Sequence, residues 1–234
     1  MKKQHNLKQK IHFYVMSVAV LVSILVMTII SVGSIRSTNK ILLDDMQITA
    51  RIAAQNISSN LHLLTERMYN FSQEAVLLDS TVSVEEKQAR LDKIKLQIEF
   101  VWISAYDASG NKLYGDASAP DSIADTDYYS MLTQTGSLVI GEPYYADGIL
   151  QLCVGITLKE EGEVTGYLIG SYKYDLLNDV LSQLVLGDTG SACILNSSGD
   201  VIGDRNTENI RSRNNIYDMY PASGNLEKFK DAVS

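Results

Sequence analysis

The stretch from Ile11 to Ile35 constrains this chain most, because none of its 25 residues carries a fixed charge. A helix rises about 1.5 Å per residue, so a helix of this length exceeds the roughly 30 Å hydrocarbon core of a bilayer. The alternative is a cleaved signal peptide, whose apolar region has only about 7 to 15 residues and precedes a small-residue cleavage site. No such site follows here, and the sequence predicts a transmembrane helix over residues 11–35.

The charges before this segment predict its orientation. Lys2, Lys3, Lys8 and Lys10 precede it without any acidic residue. The positive-inside rule places such a tail in the cytoplasm. We therefore expect residues 1–10 to be a cytoplasmic tail in a protein of the cell membrane, with a single span seen and the rest of the chain outside.

The part after the membrane segment is strongly acidic. Removing the four N-terminal lysines from the 20 basic residues leaves 16 against 28 acidic ones, a net charge of −12. Such a surface repels nucleic acids. We expect no nucleic-acid partner.

A helical repeat follows the membrane segment, with no Pro or Gly between Ser34 and Gly110. Its apolar residues alternate steps of four and three, as in a coiled-coil seam. Residues 36–99 are therefore predicted to form a stalk helix and a second helix, the latter opened by Ser83 and Glu86 as a capping box. Such a seam can pack on the chain's own domain or form a parallel homodimer, and one long helix can do both along different stretches. We expect homodimer contact through the stalk. The seam residues are Ala50, Ala54, Ile57, Leu61, Leu64, Met68, Phe71, Ala75 and Leu78.

Two similar turns occur 89 residues apart, "DASGNKLYGD" from Asp107 and "NSSGDVIGD" from Asn196. In each, the Asp or Asn side chain can accept hydrogen bonds from the backbone ahead of it, and Gly110 or Gly199 can adopt the left-handed conformation that closes a hairpin. Each copy is therefore predicted to be a β-hairpin. The separation indicates two related lobes rather than a solenoid, whose period is about 20 to 50 residues.

The segments between the two turns predict one complete lobe. A short helix, "YYSMLTQTG", precedes strands at "GSLVIGEPYY", "LQLCVGITL" and "TGYLIGSYKY". With the first hairpin these form an α+β domain over residues 100–175, a PAS-like antiparallel sheet of five strands. Fewer residues follow the second turn than the first, so residues 176–234 are expected to hold a connecting helix and an incomplete second lobe.

The two cysteines, Cys153 and Cys193, both lie in apolar runs typical of buried strands. We interpret them as core thiols. They belong to different copies of the repeat, which argues against a disulfide between them.

Catalytic and metal-binding patterns are missing from the outer part. A nucleophilic triad or a zinc site needs histidine near Cys, Ser or carboxylates, and the chain has only His5, His12 and His62, all before residue 100. "DASGNK" also lacks the alternating acids of a calcium loop. We predict no enzymatic activity, no metal site and no cofactor.

Tyrosine is concentrated in the first lobe, where nine of the chain's 13 lie between Tyr106 and Tyr174. Aromatic side chains with a polar tip offer stacking area and directional hydrogen bonds at low entropic cost. Some of these tyrosines are expected to fill the core of the sheet, and others to line a small-molecule pocket.

The membrane segment, the long helix, "DYYSMLTQTGSLVIGEPYYADG", "GYLIGSYKYDLL" and "GDTGSACILNSSGDVIGDRN" together resemble the double Cache (dCache) sensor region of bacterial methyl-accepting chemotaxis proteins. The resemblance covers roughly residues 10–220. It implies a membrane-distal Cache lobe over residues 100–175 that holds the ligand and the start of a membrane-proximal lobe. It also implies a chemotaxis receptor whose cytoplasmic output domain lies beyond Ser234.

The sequence departs from the amino-acid-sensing members of that family. They carry Arg-x-Trp-Tyr at the start of the distal helix, where this chain has Thr126-Asp127-Tyr128-Tyr129. A guanidinium grip on a ligand carboxylate is therefore in doubt. Asp125, Asp127 and Asp147 around an aromatic cluster instead favour a small polar or cationic ligand. The predicted pocket residues are Trp102, Tyr106, Asp127, Tyr128, Tyr129, Tyr144, Asp147 and Tyr172.

Two other functions remain compatible with the sequence. The same sensor region precedes membrane-bound diguanylate cyclases and histidine kinases. A membrane-anchored dimer could also use its lobes to bind a partner protein without any small ligand.

Overall fold

The structure, a computed structural model, describes residues 2–98, 100–174, 180, 181, 184 and 192–219. The chain divides into two compact units, Met1–Arg51 and Ile52–Ser234, which are described separately. Most of the predicted connecting helix after Tyr174 and the end of the predicted second lobe lie outside the described residues.

The first unit is helical throughout its described length. It is the N-terminal part of helix α1, which runs over Lys2–Ser72. The side chains of the predicted membrane segment are exposed, as in a helix whose apolar surface faces lipid. Among the described helices, α1 is the one with the length and apolar composition needed to cross a membrane.

The second unit begins with the C-terminal part of α1, followed by α2 (Ala75–Leu78) and α3 (Val84–Gln97). The Ser83 side chain accepts a hydrogen bond from the Glu86 backbone N–H at 3.2 Å, which confirms the predicted helix start. Within the seam, Leu64 and Met68 are buried, and the seam residues beside them pack on the same core. This stretch of α1 therefore packs on its own domain.

The main sheet is antiparallel, and together with the helices it confirms the predicted α+β fold. Its strands are β1 (Phe100–Asp107), β2 (Lys112–Gly115), β3 (Val139–Ile140), β4 (Tyr144–Ala146), β5 (Ile149–Glu160) and β6 (Glu163–Lys173). The spatial order is β2-β1-β6-β5-β3, and β4 also pairs with β5. The outer edge strand is thus split into two pieces. Helix α4 (Asp127–Thr135) lies between β2 and β3 in the chain.

The two repeated turns have the same geometry. Asp107 Oδ1 accepts the backbone N–H groups of Ser109 and Asn111 at 2.9 and 2.8 Å. Asn196 Oδ1 accepts the equivalent two groups at 3.0 and 2.9 Å. Gly110 and Gly199 have φ of 83° and 84°. Both predicted hairpins are confirmed, the second one formed by β7 (Cys193–Leu195) and β8 (Val201–Asp204).

The main sheet buries both of its faces, because successive side chains of a strand point to opposite sides. One face packs on α1, α2 and α3 through Met68, Leu168 and their neighbours. The other face packs on α4 through Trp102, Leu132 and Ile169. This second face carries the cavity described below.

The second hairpin is followed by α5 (Thr207–Arg211) and α6 (Ile216–Met219). Its Val201 packs with Leu152 of β5 and with Tyr174, the residue after β6. Cys153 is buried as predicted, whereas the prediction for Cys193 was wrong: it begins a short strand and is exposed. Both cysteines are free.

Candidate functional site

A cavity of about 640 Å³ opens on the α4 face of the main sheet. Its walls come from β1, the N-terminal end of α4, the loop before β4, the β4–β5 hairpin and the segment after α5. The lining residues are Val101, Trp102, Ser118, Pro120, Asp125, Thr126, Asp127, Tyr128, Glu142, Tyr144, Ala146, Asp147, Ile149, Gln151 and Arg213.

The N-terminal end of α4 places two acidic residues, Asp125 and Asp127, at the cavity. Thr126 has extended backbone and caps the helix, because its Oγ1 accepts the Tyr129 backbone N–H at 3.3 Å. Asp127 then occupies the first helical turn, where a negative charge is favourable. Its Oδ2 accepts the Glu142 backbone N–H at 2.9 Å, which ties the helix to the loop before β4.

The β4–β5 hairpin places Asp147 at the cavity. Asp147 and Gly148 form the two-residue turn, with φ of 51° and 77°. Two positive φ values are required by the type I′ turn that matches the strand twist, and Asp-Gly is a preferred sequence for it. The position of the Asp147 carboxylate thus follows from a local turn rule.

Two lining residues, Tyr144 and Gln151, belong to a largely buried polar network. The hydroxyls of Tyr144 and Ser171 contact Gln151 Oε1 at 3.0 and 2.7 Å. The Cys153 thiol lies 3.5 Å from the Tyr144 hydroxyl. Burial raises the pKa of the Cys153 thiol to about 12, so the thiol stays protonated and unreactive at neutral pH.

The aromatic walls are Trp102 and Tyr128, both buried, together with Tyr144. Burial raises the pKa of the Tyr128 and Tyr144 hydroxyls above their ordinary value. These hydroxyls therefore remain neutral hydrogen-bonding groups at neutral pH.

Negative charge dominates the lining. Its four carboxylates are Asp125, Asp127, Glu142 and Asp147, and among the described lining residues the positive charge comes from Arg213. Glu142 Oε1 accepts a hydrogen bond from Asn196 Nδ2 at 3.0 Å, and Oε2 lies 3.7 Å from Arg213 Nη2. Glu142 thus joins the cavity wall to the second hairpin.

Five of the eight predicted pocket residues line this cavity: Trp102, Asp127, Tyr128, Tyr144 and Asp147. Tyr106 and Tyr129 pack in the core between α4 and the same sheet face but do not line the cavity. The buried Tyr106 hydroxyl donates to the Pro120 carbonyl at 3.0 Å. The Tyr129 hydroxyl donates to the Ala108 carbonyl at 3.1 Å.

Tyr172 lies on the opposite face of the sheet, in the core formed with α1, α2 and α3. Its ring centroid is 4.5 Å from that of Phe100. The strand alternation explains the difference, because Ser171 is the residue of β6 that faces the cavity side and joins the polar network. Tyr172 therefore does not line this cavity.

Sequence reasoning missed Glu142, Gln151 and Arg213. The sequence around Gln151 could have indicated its role, because it is a polar residue within the apolar run "LQLCV". It is also two residues from Cys153 and therefore on the same face of the strand. Glu142 and Arg213 carried no such signal, because their approach depends on the packing of the second hairpin against the loop before β4.

The fold and the cavity together define a class of protein: a PAS-like sensor module with a ligand-sized pocket on one sheet face, in a chain that also carries a candidate membrane span. A Cache domain model (dCache_1) matches residues 34–233. The chain belongs to the Cache domain family. A comparison with curated protein sequences finds no match.

Solved structures of chemoreceptor ligand-binding domains share this fold. The Pseudomonas aeruginosa PctC domain in complex with GABA has a TM-score of 0.62 at 17% identity, over 74% of this chain and 79% of that one. The PctB domain with L-Arg has 0.64 at 20%, over 76% and 71%. The Pseudomonas fluorescens CtaA domain with L-serine has 0.61 at 18%, over 74% and 75%.

Proposed function

We propose that this chain is the ligand-sensing region of a transmembrane chemoreceptor, and that it acts by binding a small polar ligand with a cationic group rather than by catalysis. The observation that carries the proposal is the cavity, which combines four carboxylates with three aromatic walls. Carboxylates and aromatic faces both attract ammonium groups. A cavity of about 640 Å³ is in the range of small-molecule sites.

The comparisons support the same class of ligand. GABA, L-arginine and L-serine, which occupy the related domains, all carry an ammonium group. The geometry here offers Asp127 and Asp147 as the partners of such a group, with Trp102, Tyr128 and Tyr144 around its apolar part.

The proposed receptor has its N-terminus in the cytoplasm and its sensor lobe outside, as the lysine-rich tail favours. It forms a homodimer through the stalk part of α1. The exposure of the seam residues Ala50 and Ala54 supports that contact, since they precede the stretch of α1 that packs on its own lobe.

The test measures binding to the 234-residue chain, purified in detergent, by isothermal titration calorimetry. The probes are the natural amino acids, γ-aminobutyrate and linear diamines. We expect at least one probe with an ammonium group to bind with a Kd below about 1 mM.

A matched pair of variants locates the site. Asp147→Asn removes a cavity carboxylate from a positive-φ turn, and Glu161→Gln removes one from the equivalent turn of the β5–β6 hairpin, which does not line the cavity. Asp147→Asn should weaken binding about tenfold, which corresponds to about 1.4 kcal/mol of binding free energy. Glu161→Gln should leave the Kd within about twofold of the native value. Equal effects of the two variants, or no binding of any probe, would contradict the proposal.

A further inference from the structure

Arg213 reaches the cavity from a segment that is distant in sequence. It follows α5 with a φ of 47°, a conformation that a non-glycine residue adopts at a cost in free energy. Its backbone N–H donates to the Ile210 carbonyl at 3.1 Å, which holds the residue in that turn. Its side chain is 68% exposed and lines the cavity beside Glu142.

The Arg213 guanidinium uses little of its bonding capacity within the described part of the chain. Its ion pair there is with Glu142, at 3.7 Å. The pKa of Asp200 is lowered chiefly by a hydrogen bond from the Asn215 side chain, and the charge of Arg213 also contributes to lowering it. A guanidinium has five N–H donors, and a close bond to a carboxylate is about 2.7 to 2.9 Å long. Donors of Arg213 therefore remain available to a further anionic group in the cavity.

Glu142 is held in place independently of Arg213. Its Oε1 accepts a hydrogen bond from the Asn196 amide at 3.0 Å, and its backbone N–H is bound by Asp127. An incoming anion can therefore approach Arg213 without displacing Glu142 from its other partners. The Glu142 charge would nevertheless repel that anion and compete for the guanidinium.

We infer that Arg213 binds an anionic group of the ligand, and that the cavity therefore selects dipolar ligands, with the cationic end at Asp127 and Asp147. This inference rests on the proposed function. Arg213 is then a specificity-determining residue supplied by the segment that follows the second hairpin. Ligand binding would join the α4 end of the cavity to that segment, and Glu142 limits the affinity for the anionic end.

Two probes of equal length separate a dipolar ligand from a purely cationic one. Putrescine has an ammonium group at each end of four carbons, and γ-aminobutyrate replaces one end with a carboxylate. Titration calorimetry on the whole chain in detergent gives the ratio of their Kd values. We expect γ-aminobutyrate to bind the native chain more tightly than putrescine.

Variants then assign the preference to Arg213. Arg213→Gln should weaken γ-aminobutyrate binding at least tenfold and leave putrescine binding the same or tighter. Arg211→Gln is the matched control, since Arg211 is two residues away and lies over the Tyr145 ring, 5.5 Å from its centroid, instead of lining the cavity. Glu142→Gln should strengthen γ-aminobutyrate binding by about threefold or more, because it removes the competing charge.

The outcomes distinguish the two proposals. Tighter binding of putrescine by the native chain, or equal effects of Arg213→Gln and Arg211→Gln on γ-aminobutyrate, would overturn the role of Arg213 and leave the proposed sensing function intact. Loss of both probes from the native chain together with the whole amino-acid panel would overturn the sensing function, and the role of Arg213 with it.

Discussion

Asp127 and Glu142 are joined by a hydrogen bond in which the Asp127 carboxylate accepts the Glu142 backbone N–H at 2.9 Å. The bond connects the first turn of α4 to the loop before β4, so one residue both shapes the cavity and lines it. Asp125, two residues earlier, lines the same cavity, and no hydrogen bond of its side chain is found among the described residues. Asp127 therefore contributes both a charge and a structural hydrogen bond to the cavity, whereas, in the part of the chain that the structure describes, Asp125 contributes a charge alone.

Replacing Asp127 should affect both stability and binding. Asp127→Ala removes the tie to Glu142 and should lower the free energy of unfolding by about 1 kcal/mol. Asp127→Asn retains an oxygen that can accept the bond, so it should lose less stability while binding a cationic probe more weakly. Urea denaturation and calorimetry measure the two quantities. Asp125→Ala is the control and should be nearly neutral for stability; an equal loss in both alanine variants would contradict the scaffolding role of Asp127.

Two tyrosines on opposite faces of the sheet, Tyr144 and Tyr172, should respond differently to loss of the hydroxyl. The Tyr144 hydroxyl contacts Gln151 and Ser171, whereas among the described residues the buried Tyr172 hydroxyl has no hydrogen-bond partner. Tyr144→Phe should therefore cost about 1 kcal/mol and alter ligand binding. Tyr172→Phe should be neutral or stabilising and leave binding unchanged, because an unpaired buried hydroxyl carries a desolvation penalty. A larger loss from Tyr172→Phe in urea denaturation would show that its hydroxyl has a partner after all.

The parts of the fold that follow from local rules could be predicted from the sequence. The Ser83 cap, the two hairpin turns and the Asp147-Gly148 turn each depend on residues close together in the chain. The carboxylates Asp127 and Asp147 were predicted from the acids around an aromatic cluster and from the family resemblance, and in the structure a helix start and a turn hold them.

The parts that depend on strand register and long-range packing could not be predicted in the same way. A shift of one residue exchanges Tyr172 for Ser171 on the cavity face, and the sequence did not determine that parity. The approach of Arg213 to Glu142 joins residues 71 positions apart in the sequence. No local pattern indicates such a contact.

The two repeated turns begin with different residues, Asp107 and Asn196, so replacing Asp107 by asparagine should change stability in a way that depends on pH. The pKa of Asp107 is lowered from 3.8, chiefly by the hydrogen bond from the Asn111 backbone N–H. A lowered pKa in the folded state means that the ionised group stabilises the fold above about pH 4, and that this contribution is lost as the pH falls through the folded-state pKa. Asn196 makes the same bonds without a charge.

Asp107→Asn should therefore fold normally, since asparagine already serves in the second turn, but with a lower melting temperature than the native chain at pH 7. The difference should shrink as the pH falls below about 4 and Asp107 of the native chain becomes protonated. Thermal unfolding followed by circular dichroism over this range measures it. Asn196→Asp is not a simple reciprocal, because the Asn196 amide donates to Glu142 Oε1 and Asp200 Oδ2 at 3.0 and 3.2 Å. A carboxylate there would repel both acids, so the stability of this variant relative to the native chain should fall as the pH rises. A difference that does not change with pH would contradict the assignment.

Two glycines with similar backbone conformations should differ in how well they tolerate alanine. Gly148 and Gly199 have φ of 77° and 84°, so either substitution incurs the cost of a left-handed conformation, about 1 to 2 kcal/mol. A Cβ at Gly148 would meet no atom within 4 Å, whereas at Gly199 it would lie 2.5 Å from Cε2 of Tyr217. Gly199→Ala should therefore lose about 1 to 3 kcal/mol more than Gly148→Ala, because the Tyr217 ring must move. Urea denaturation of the two variants measures the difference in the free energy of unfolding. Equal losses would contradict the close packing of the Tyr217 ring against Gly199.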